Sequence, residues 1–258
     1  MKAIWTGAIG FGLVNIPVKL FSATQASELD LDMLDKKDHS NIRFLRVNEK
    51  TGKEVEWGNI VKGYKYNDKY VILNSSDFEM ASAKKSSLIA ISSFVDEKQI
   101  DSLHYETPYY LAPDKTGVHA YTLLREALAK TGKAGIATFV MRHKEILAVL
   151  RPSAKVIILN RIRFAEEIRD PGELSLPDKQ DIKPVELSMA ISLIKQLSSD
   201  FNISKYKDTY TAELLKLIKA KAKGVRLKEP SMKIVHSKSQ DLMEQLKASL
   251  QIKQRKAS

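Results

Sequence analysis

Cysteine is absent from the 258 residues of this chain. Without it the chain can form no disulfide scaffold, no thiolate zinc site and no cysteine nucleophile. Long apolar runs are lacking too, since none approaches the roughly 20 residues that a membrane-spanning helix needs. The first residues include one lysine but no sustained apolar stretch, so we expect no signal peptide. These absences predict a cytoplasmic protein.

Recognisable catalytic and metal-binding motifs are also missing. The five histidines never fall at the spacing of a metal-ligand pair, and no Gly-Lys-Ser/Thr phosphate loop occurs. The glycines of residues 7–12 have the spacings of a dinucleotide fingerprint reversed, and residues 30–35 lack the glycine and distal glutamate of a calcium loop. Glu166 and Glu167 are adjacent carboxylates without a catalytic partner. We therefore expect no catalytic residue, no metal and no cofactor, and predict a binding protein.

Positive charge is the first informative feature that is present. Lysine and arginine number 42 against 31 acidic residues, a net charge of +11. Residues 203–258 hold 14 of the basic and 5 of the acidic residues, so residues 1–202 are nearly neutral. Within them, residues 41–69 have 7 basic and 4 acidic residues, and residues 130–163 have 8 and 1. Two basic blocks and a basic tail favour a polyanion-binding surface over a chance clustering of solvated charges.

Residues 1–160 have mainly the patterns of β-strands, in which short apolar runs alternate with polar turns. Pro17 indicates that the first run is an edge or irregular strand, and Gly52 is available for positive φ in a polar turn. The period changes once, over residues 118–130, which predict a helix ending near Gly132. Many strands and one helix favour a barrel or a strongly curved sheet. The predicted strands and strand pairs cover residues 11–21, 43–57, 64–73, 87–95, both sides of 142–145, and 156–159.

Beyond a connector at residues 169–177 the pattern becomes helical. A first helix carries one apolar stripe at helical spacing. A second runs from Asp208, a good N-cap, to Lys223, with Gly224 as its stop. Residues 225–238 predict a linker, and residues 239–250 a short amphipathic helix that is stable only when docked. The two apolar stripes are Leu187, Ala190, Ile191, Ile194 and Leu197, and Leu242, Met243, Leu246 and Leu250.

The ordered motifs of the whole chain resemble the Ku family, and specifically the short bacterial Ku proteins of DNA end joining. Each motif alone is weakly specific, whereas the ordered set is highly specific. The matching segments are WTGAIGFGLVNIPVKLF (5–21), TGKEV (51–55), IVKGY (60–64), YYLAP (109–113), AYTLLREAL (120–128), TGK (131–133), LRP (150–152), EL (186–187), KYKDTY (205–210), KAK (219–221) and DLMEQLKASL (241–250).

The resemblance implies a mixed α and β fold in three parts. Residues 1–185 would form a β-barrel core from which a bridge at about 41–75 projects, residues 186–224 a helical arm that embraces the partner subunit, and residues 225–258 a basic tail. Two copies would close a ring that threads the end of double-stranded DNA, independently of sequence, in double-strand break repair by non-homologous end joining. The resemblance also implies a homodimer, recruitment of an ATP-dependent DNA ligase, no enzymatic activity, and a cytoplasmic, nucleoid-associated location.

The basic blocks supply the candidate DNA contacts, and the alternative for each residue is a solvent-facing charge. Arg161 and Arg163 alternate along one strand, which places both on one face. The bridge candidates are Arg43, Arg46, Lys50, Lys53, Lys62 and Lys65. The barrel candidates are Arg142, Lys144, Arg151, Lys155, Arg161 and Arg163. The candidates on the second helix are Lys216, Lys219 and Lys223.

The apolar stripes supply the candidate protein contacts. The dimer interface is expected at Leu187, Ile191, Ile194 and Leu197, and core packing explains these residues equally well. The ligase is expected to contact Leu242, Met243 and Leu246, for which docking back on the barrel is the alternative.

Two other functions compete with DNA-end binding. A magnesium-dependent phosphodiesterase or nucleotidyl-transfer enzyme would need clustered carboxylates, and those of this sequence are scattered. A general nucleic-acid-coating protein would act through its tail alone. Deletion of residues 225–258 separates the coating protein from the ring, because a ring would retain end binding and a tail-only binder would lose it.

Overall fold

The computed structural model describes residues 1–82, 87–142, 144–177 and 181–225. Contacts divide the chain into two compact units. The first comprises Met1–Ala26 with Leu31–Asp170, and the second Ser27–Asp30 with Pro171–Ser258. The predicted helix at 239–250 and all but the first residue of the predicted linker lie outside the described residues. In the described ranges, no helix combines the length and the apolar character needed to cross a membrane.

The described part of the first unit contains nine strands, seven of which close into a barrel. In chain order the strands are β1 (Trp5–Phe11), β2 (Val14–Ser22), β3 (Lys62–Tyr66), β4 (Lys69–Leu73), β5 (Leu88–Asp96), β6 (Tyr105–Pro113), β7 (Lys133–Met141), β8 (Lys144–Ser153) and β9 (Val156–Ile162). The order round the barrel is β1-β2-β6-β9-β8-β7-β5. Neighbours are antiparallel except β5 and β1, which close the barrel in parallel. The predicted barrel is confirmed.

Alternation along the strands builds the core of the barrel. On β8 the side chains of Ile146, Ala148 and Leu150 belong to the main buried cluster, and on β9 those of Ile157 and Leu159. Successive residues of a strand point to opposite faces, so every second residue can be apolar and face inward. The buried strand predicted at 156–159 is thus confirmed, and it continues to Ile162.

Two α-helices lie in the described part of the same unit, α1 (Ser75–Ser82) and α2 (Val118–Thr131). The second is the helix predicted between the strands. It ends at Gly132, whose φ of 64° lies in the left-handed region that glycine adopts without steric cost. The buried face of α2 packs on the main core cluster and is formed by Tyr121, Leu124 and Leu128.

Tyr121 joins α2 to two strands of the barrel. Its hydroxyl donates a hydrogen bond to the Leu111 carbonyl on β6 at 2.6 Å and accepts one from the Ile157 N–H on β9 at 2.7 Å. Burial raises the pKa of the phenol, while the Ile157 hydrogen bond and the charge of Arg125 act in the opposite direction. A single side chain thereby satisfies two buried backbone groups.

The run of residues 11–21, predicted as one strand, is instead part of a hairpin. β1 ends at Phe11 and β2 begins at Val14, and these two residues are paired. Gly12 has a φ of 54° in the first of the two turn positions, where a type II′ turn favours glycine. The prediction was wrong because the apolar character continues through the turn. Pro17 lies on no edge strand, since β2 is flanked by β1 and β6 in the closed barrel.

The hairpin predicted at residues 43–57 is reduced to a turn with one isolated bridge, from Val47 to Glu54. The Asn48 side chain accepts hydrogen bonds from the N–H groups of Lys50 and Thr51, and this local bonding stands in for a ladder. Gly52 has a φ of 66°, as its turn role predicted. Extended strands on either side are not formed in this fully described stretch.

The strand pair predicted at residues 64–73 is confirmed as β3 and β4. Tyr66 pairs with Lys69 across the turn, and the turn residues Asn67 and Asp68 have φ values of 45° and 61°. Two consecutive positive φ values are the signature of a type I′ turn, for which asparagine and aspartate are favoured.

The second unit contains the two predicted helices, α3 (Pro184–Leu197) and α4 (Thr209–Ala222). Asp208 caps α4 by accepting a hydrogen bond from the Thr211 N–H at 2.9 Å. Gly224 follows the helix with a φ of 73°. The N-cap and stop signals read from the sequence are therefore confirmed.

Candidate nucleic-acid interface

Residues 41–75, here called the 41–75 segment, contain both exposed strands of the first unit. β3 and β4 pair with each other and with no barrel strand. Nine of their ten residues are exposed. A two-stranded hairpin alone is marginally stable in water, so local contacts and external partners decide its stability.

Two cations of this segment lie over aromatic rings. The Arg46 guanidinium carbon is 4.4 Å from the centroid of Trp57, and the Lys62 Nζ is 4.9 Å from that of Phe78. A cation–π contact orients the side chain without cancelling its charge. Both residues therefore keep a positive charge available to a polyanion.

Other predicted cations of the segment differ in their pairing. Lys65 forms an exposed ion pair with Asp68 at 3.0 Å. For Arg43, Lys50 and Lys53, which are all exposed, the described residues contain no ion-pair partner. Lys50 and Lys53 lie on the turn ordered by Asn48. The sequence alone treats these cations as equivalent candidates for DNA contact. The structure distinguishes the one with an acidic partner from those without one among the described residues.

On the barrel, Glu106 holds two of the predicted cations. Its carboxylate lies 2.7 Å from the Nε of Arg161 and 3.0 Å from Nη2 of Arg163. Arg163 also donates hydrogen bonds to the Leu103 and Tyr105 carbonyls. Arg161 and Arg163 thus share one face, as strand alternation predicted, and the three-residue cluster carries a net charge of +1.

The Arg151 side chain forms its contacts within the barrel wall. Its Nη1 pairs with Glu97 at 3.0 Å, and its Nε donates a hydrogen bond to the Asn160 side-chain oxygen at 2.9 Å. Asn160 is only 5% exposed and is the buried polar residue of the described core. The guanidinium also lies 5.7 Å from the ring of Tyr105, whose pKa is raised by burial and by Glu97 and lowered less by Arg151. Arg151 therefore satisfies a buried polar group.

The remaining barrel candidates lie at opposite ends of β8. Arg142 precedes this strand and Lys144 is its first residue, whereas Lys155 lies in the turn after it. Ten residues at about 3.3 Å each separate the two ends by about 30 Å. Leu147 pairs with Ile162, so Arg161 and Arg163 lie at the Lys144 end. The basic residues of 130–163 are therefore divided between two separate patches, one at each end of β8.

Predicted contacts of the second unit lie on the two helices. Lys216, Lys219 and Lys223 are exposed along or just after α4, and Lys216 is within 3.5 Å of Glu213. On α3 the apolar stripe is not core, since none of the helix residues is buried. The four predicted interface residues are between 43% and 65% exposed, namely Leu187, Ile191, Ile194 and Leu197. An apolar stripe this exposed is a candidate partner surface.

Three further residues, Tyr64, Tyr66 and Lys69, were not among the predicted contacts. All three are exposed on the β3–β4 hairpin, where Lys69 pairs with Tyr66 and Tyr64 pairs with Val71. Their signal was the cross-strand register around the type I′ turn. The predicted ligase contacts Leu242, Met243 and Leu246 lie outside the described residues. In the part of the chain that the structure describes, no group of three or more His, Asp or Glu side chains is placed to hold a metal.

Comparison with known proteins gives one consistent family. Residues 10–189 match the family model described as the Ku70/Ku80 beta-barrel domain. The Non-homologous end joining protein Ku of Coxiella burnetii is 38% identical over 98% of this chain and 96% of its own. The protein of the same name from Archaeoglobus fulgidus is 39% identical over 97% and 99%. That of Pseudomonas aeruginosa is 39% identical over 86% and 77%.

Proposed function

Because the chain belongs to the Ku family, we propose that it binds the ends of double-stranded DNA in break repair by non-homologous end joining. The names of the relatives support this role. The proposal is one of binding without catalysis, in which the chain reads no base sequence. The competing enzyme hypothesis needs a carboxylate cluster, and the proposal needs only cations facing phosphates.

The observation that carries the proposal is the set of exposed cations on the 41–75 segment that have no acidic partner. Arg43, Lys50 and Lys53 are free of ion pairs among the described residues, and Arg46 and Lys62 rest on aromatic rings. Cations of this kind bind the phosphate backbone through charge and counterion release, independently of sequence. Lys216, Lys219 and Lys223 on α4 would extend the contact.

The barrel contributes fewer cations to this proposal than its sequence block suggested. Arg142 and Lys144 share one end of β8 with the +1 cluster of Glu106, Arg161 and Arg163. Lys155 lies at the other end, and Arg151 satisfies the buried Asn160. We assign the DNA contacts of the barrel to the Lys144 end of β8, and give Lys155 and Arg151 secondary roles.

The working unit in this proposal is a ring-shaped homodimer. The exposed stripe of α3 supports it, since an apolar helix face of this kind is stabilised by burial against a partner. A closed ring explains end specificity without a dedicated end-binding pocket, because a duplex can enter only where it has a terminus. The same proposal gives Leu242, Met243 and Leu246 the recruitment of an ATP-dependent DNA ligase.

The deciding experiment compares linear duplex with covalently closed circular duplex of the same sequence and length. A ring binds the linear form and leaves the closed circle free, and linearising the circle restores binding. The mass of the complex should grow in steps of one dimer as the linear duplex is lengthened. Equal affinity for the two forms would rule out a ring, and loss of all binding after deletion of residues 225–258 would indicate a coating protein acting through its tail.

A further inference from the structure

One face of the β3–β4 hairpin combines aromatic rings with lysines. Residues directly opposite each other on paired strands lie on the same face, and so do alternate residues of one strand. Tyr64 pairs with Val71, and Tyr66 pairs with Lys69. Lys62 completes the row on β3. We call this set, Lys62, Tyr64, Tyr66, Lys69 and Val71, the tyrosine face.

The opposite face of the hairpin carries one aromatic ring, that of Tyr70, which is 71% exposed. Tyr70 lies across Gly63, since a Cβ built on that glycine would come within 3.3 Å of the ring atom Cδ1. Lys65, paired with Tyr70 in the ladder, forms its ion pair with Asp68. On this face Lys65 therefore has a charged partner within the hairpin, and the Tyr70 ring lies close to the backbone of Gly63.

The tyrosine face differs in carrying two aromatic rings, at alternate positions of β3. Tyr64 is 66% exposed and Tyr66 62% exposed. Within the described residues, neither side chain has a hydrogen bond or a ring contact. Two large aromatic side chains are therefore presented to solvent on a hairpin that lies in the proposed DNA-binding segment.

The spacing and the charges identify the chemistry that fits this face. Alternate residues of a strand are about 7 Å apart, which is twice the step of about 3.4 Å between stacked bases, so one base fits between the two rings. Aromatic rings stack on any base, and neighbouring cations follow the phosphates. In a duplex both faces of each base are covered by its neighbours, so only unpaired nucleotides can stack in this way.

We propose that the tyrosine face binds the unpaired nucleotides of a single-stranded overhang at a DNA end. This inference rests on the proposed DNA-end function and adds a second ligand to the same segment. Lys62 and Lys69, at the two ends of the face, favour a nucleic acid over an apolar partner, since both side chains are basic and exposed.

The test compares two double variants, Tyr64→Ile with Tyr66→Ile and Tyr64→Phe with Tyr66→Phe. Isoleucine keeps the strand propensity but removes the rings, whereas phenylalanine keeps the rings. The probes are a short blunt duplex and the same duplex with an oligothymidine tail that carries one 2-aminopurine. The isoleucine variant should lose about fivefold to a hundredfold in affinity for the tailed duplex per ring removed, and keep its affinity for the blunt duplex. The phenylalanine variant should bind both as the parent does and quench 2-aminopurine equally.

Tyr70→Ile is the matched control, because it removes the same ring from the opposite face. It should leave tail binding and quenching unchanged, and an equal loss would mean that hairpin disruption explains the effect. Unchanged tail binding by the isoleucine variant would overturn the inference, as would a change in the dimer mass, which would assign the face to a second copy. Failure of the parent protein to bind blunt linear duplex would instead count against the proposed function itself.

Discussion

The carboxylate of Glu106 on β6 lies 2.7 Å from the Nε of Arg161 on β9. Arg161 is paired in the ladder with Ala148, a core residue, so its side chain starts from the inward face of the barrel wall. The arginine and the glutamate meet where β9 ends. Their position couples the barrel's stability to the net charge at this end of the barrel.

Substitution of Glu106 by glutamine should therefore affect stability and DNA affinity in opposite directions. The unfolding free energy should fall by about 1 kcal/mol, since these side chains are partly screened by solvent. Release of Arg161 and Arg163 should tighten DNA binding at low salt and steepen its salt dependence. Denaturant titration and binding isotherms at several salt concentrations measure both. Glu166→Gln, which removes a charge without an arginine partner among the described residues, is the control, and equal behaviour of the two variants would contradict the prediction.

The exposed turn residues Lys50 and Lys53 should contribute to DNA affinity but not to the stability of the fold. Replacing Lys50 and Lys53 by glutamine should make the slope of log affinity against log salt shallower by about 0.9 for each phosphate that is no longer neutralised. The melting temperature should stay unchanged because both side chains are exposed. Lys98→Gln with Lys115→Gln removes two exposed charges outside the basic candidates and should leave the slope as it is. A slope that changes equally in both double variants would indicate a general charge effect.

The apolar stripe of α3 should determine the oligomeric state. Ile194→Glu costs the isolated chain little, since Ile194 is 65% exposed. In an interface the carboxylate would be buried without a partner, at a cost of several kcal/mol, and the dimer dissociation constant should rise at least about a hundredfold. Light scattering across a concentration series measures the mass. Ser192→Glu is the control, because it places the same charge elsewhere on the helix and should leave the dimer intact. An unchanged mass for Ile194→Glu would show that the dimer interface does not include this stripe.

Tyr121 should make the barrel sensitive to alkali. Its folded pKa is raised by burial, so the stability that the neutral phenol contributes is fully present below the unfolded pKa of about 10 and is lost as pH rises through the higher folded pKa. Tyr121→Phe should remove this pH dependence and, by leaving two buried backbone groups without their partner, cost about 1–3 kcal/mol at neutral pH. Unfolding curves between neutral and alkaline pH test this, with the exposed Tyr210→Phe as control. A parent protein equally stable on both sides of about pH 10 would contradict it.

Sequence reasoning succeeded where the signal is local. The strand pair at residues 64–73, the end of α2 at Gly132 and the cap of α4 at Asp208 were all predicted, because the deciding residues are neighbours in the chain. It failed at Gly12, where one glycine inside an apolar run was the whole signal for a hairpin. Local rules predict turns and caps well when polar residues mark them.

The candidate site was harder to predict because its electrostatics are made by distant residues. Glu97 precedes Arg151 by 54 positions, yet the two side chains are in contact. Counting charges along the sequence left Glu97 and Glu106 outside the basic block of residues 130–163, whose arginines they hold. Net charge per segment therefore overstated the free charge of the barrel and did not show which cations of the 41–75 segment lack an acidic partner.

The closure of the barrel has a consequence for how the 41–75 segment can change. The chain leaves the barrel after β2 and returns with β5, and both strands flank β1. β2 ends level with the start of β1, whereas β5 enters opposite Ala8, so the exit and return points lie about 20 Å apart across two interstrand spacings. A connection between two such fixed points can be lengthened or replaced with only a logarithmic change in closure entropy. The barrel is therefore a fixed scaffold for this connection. We expect that the 41–75 segment can be exchanged for that of another family member without disturbing the seven barrel strands.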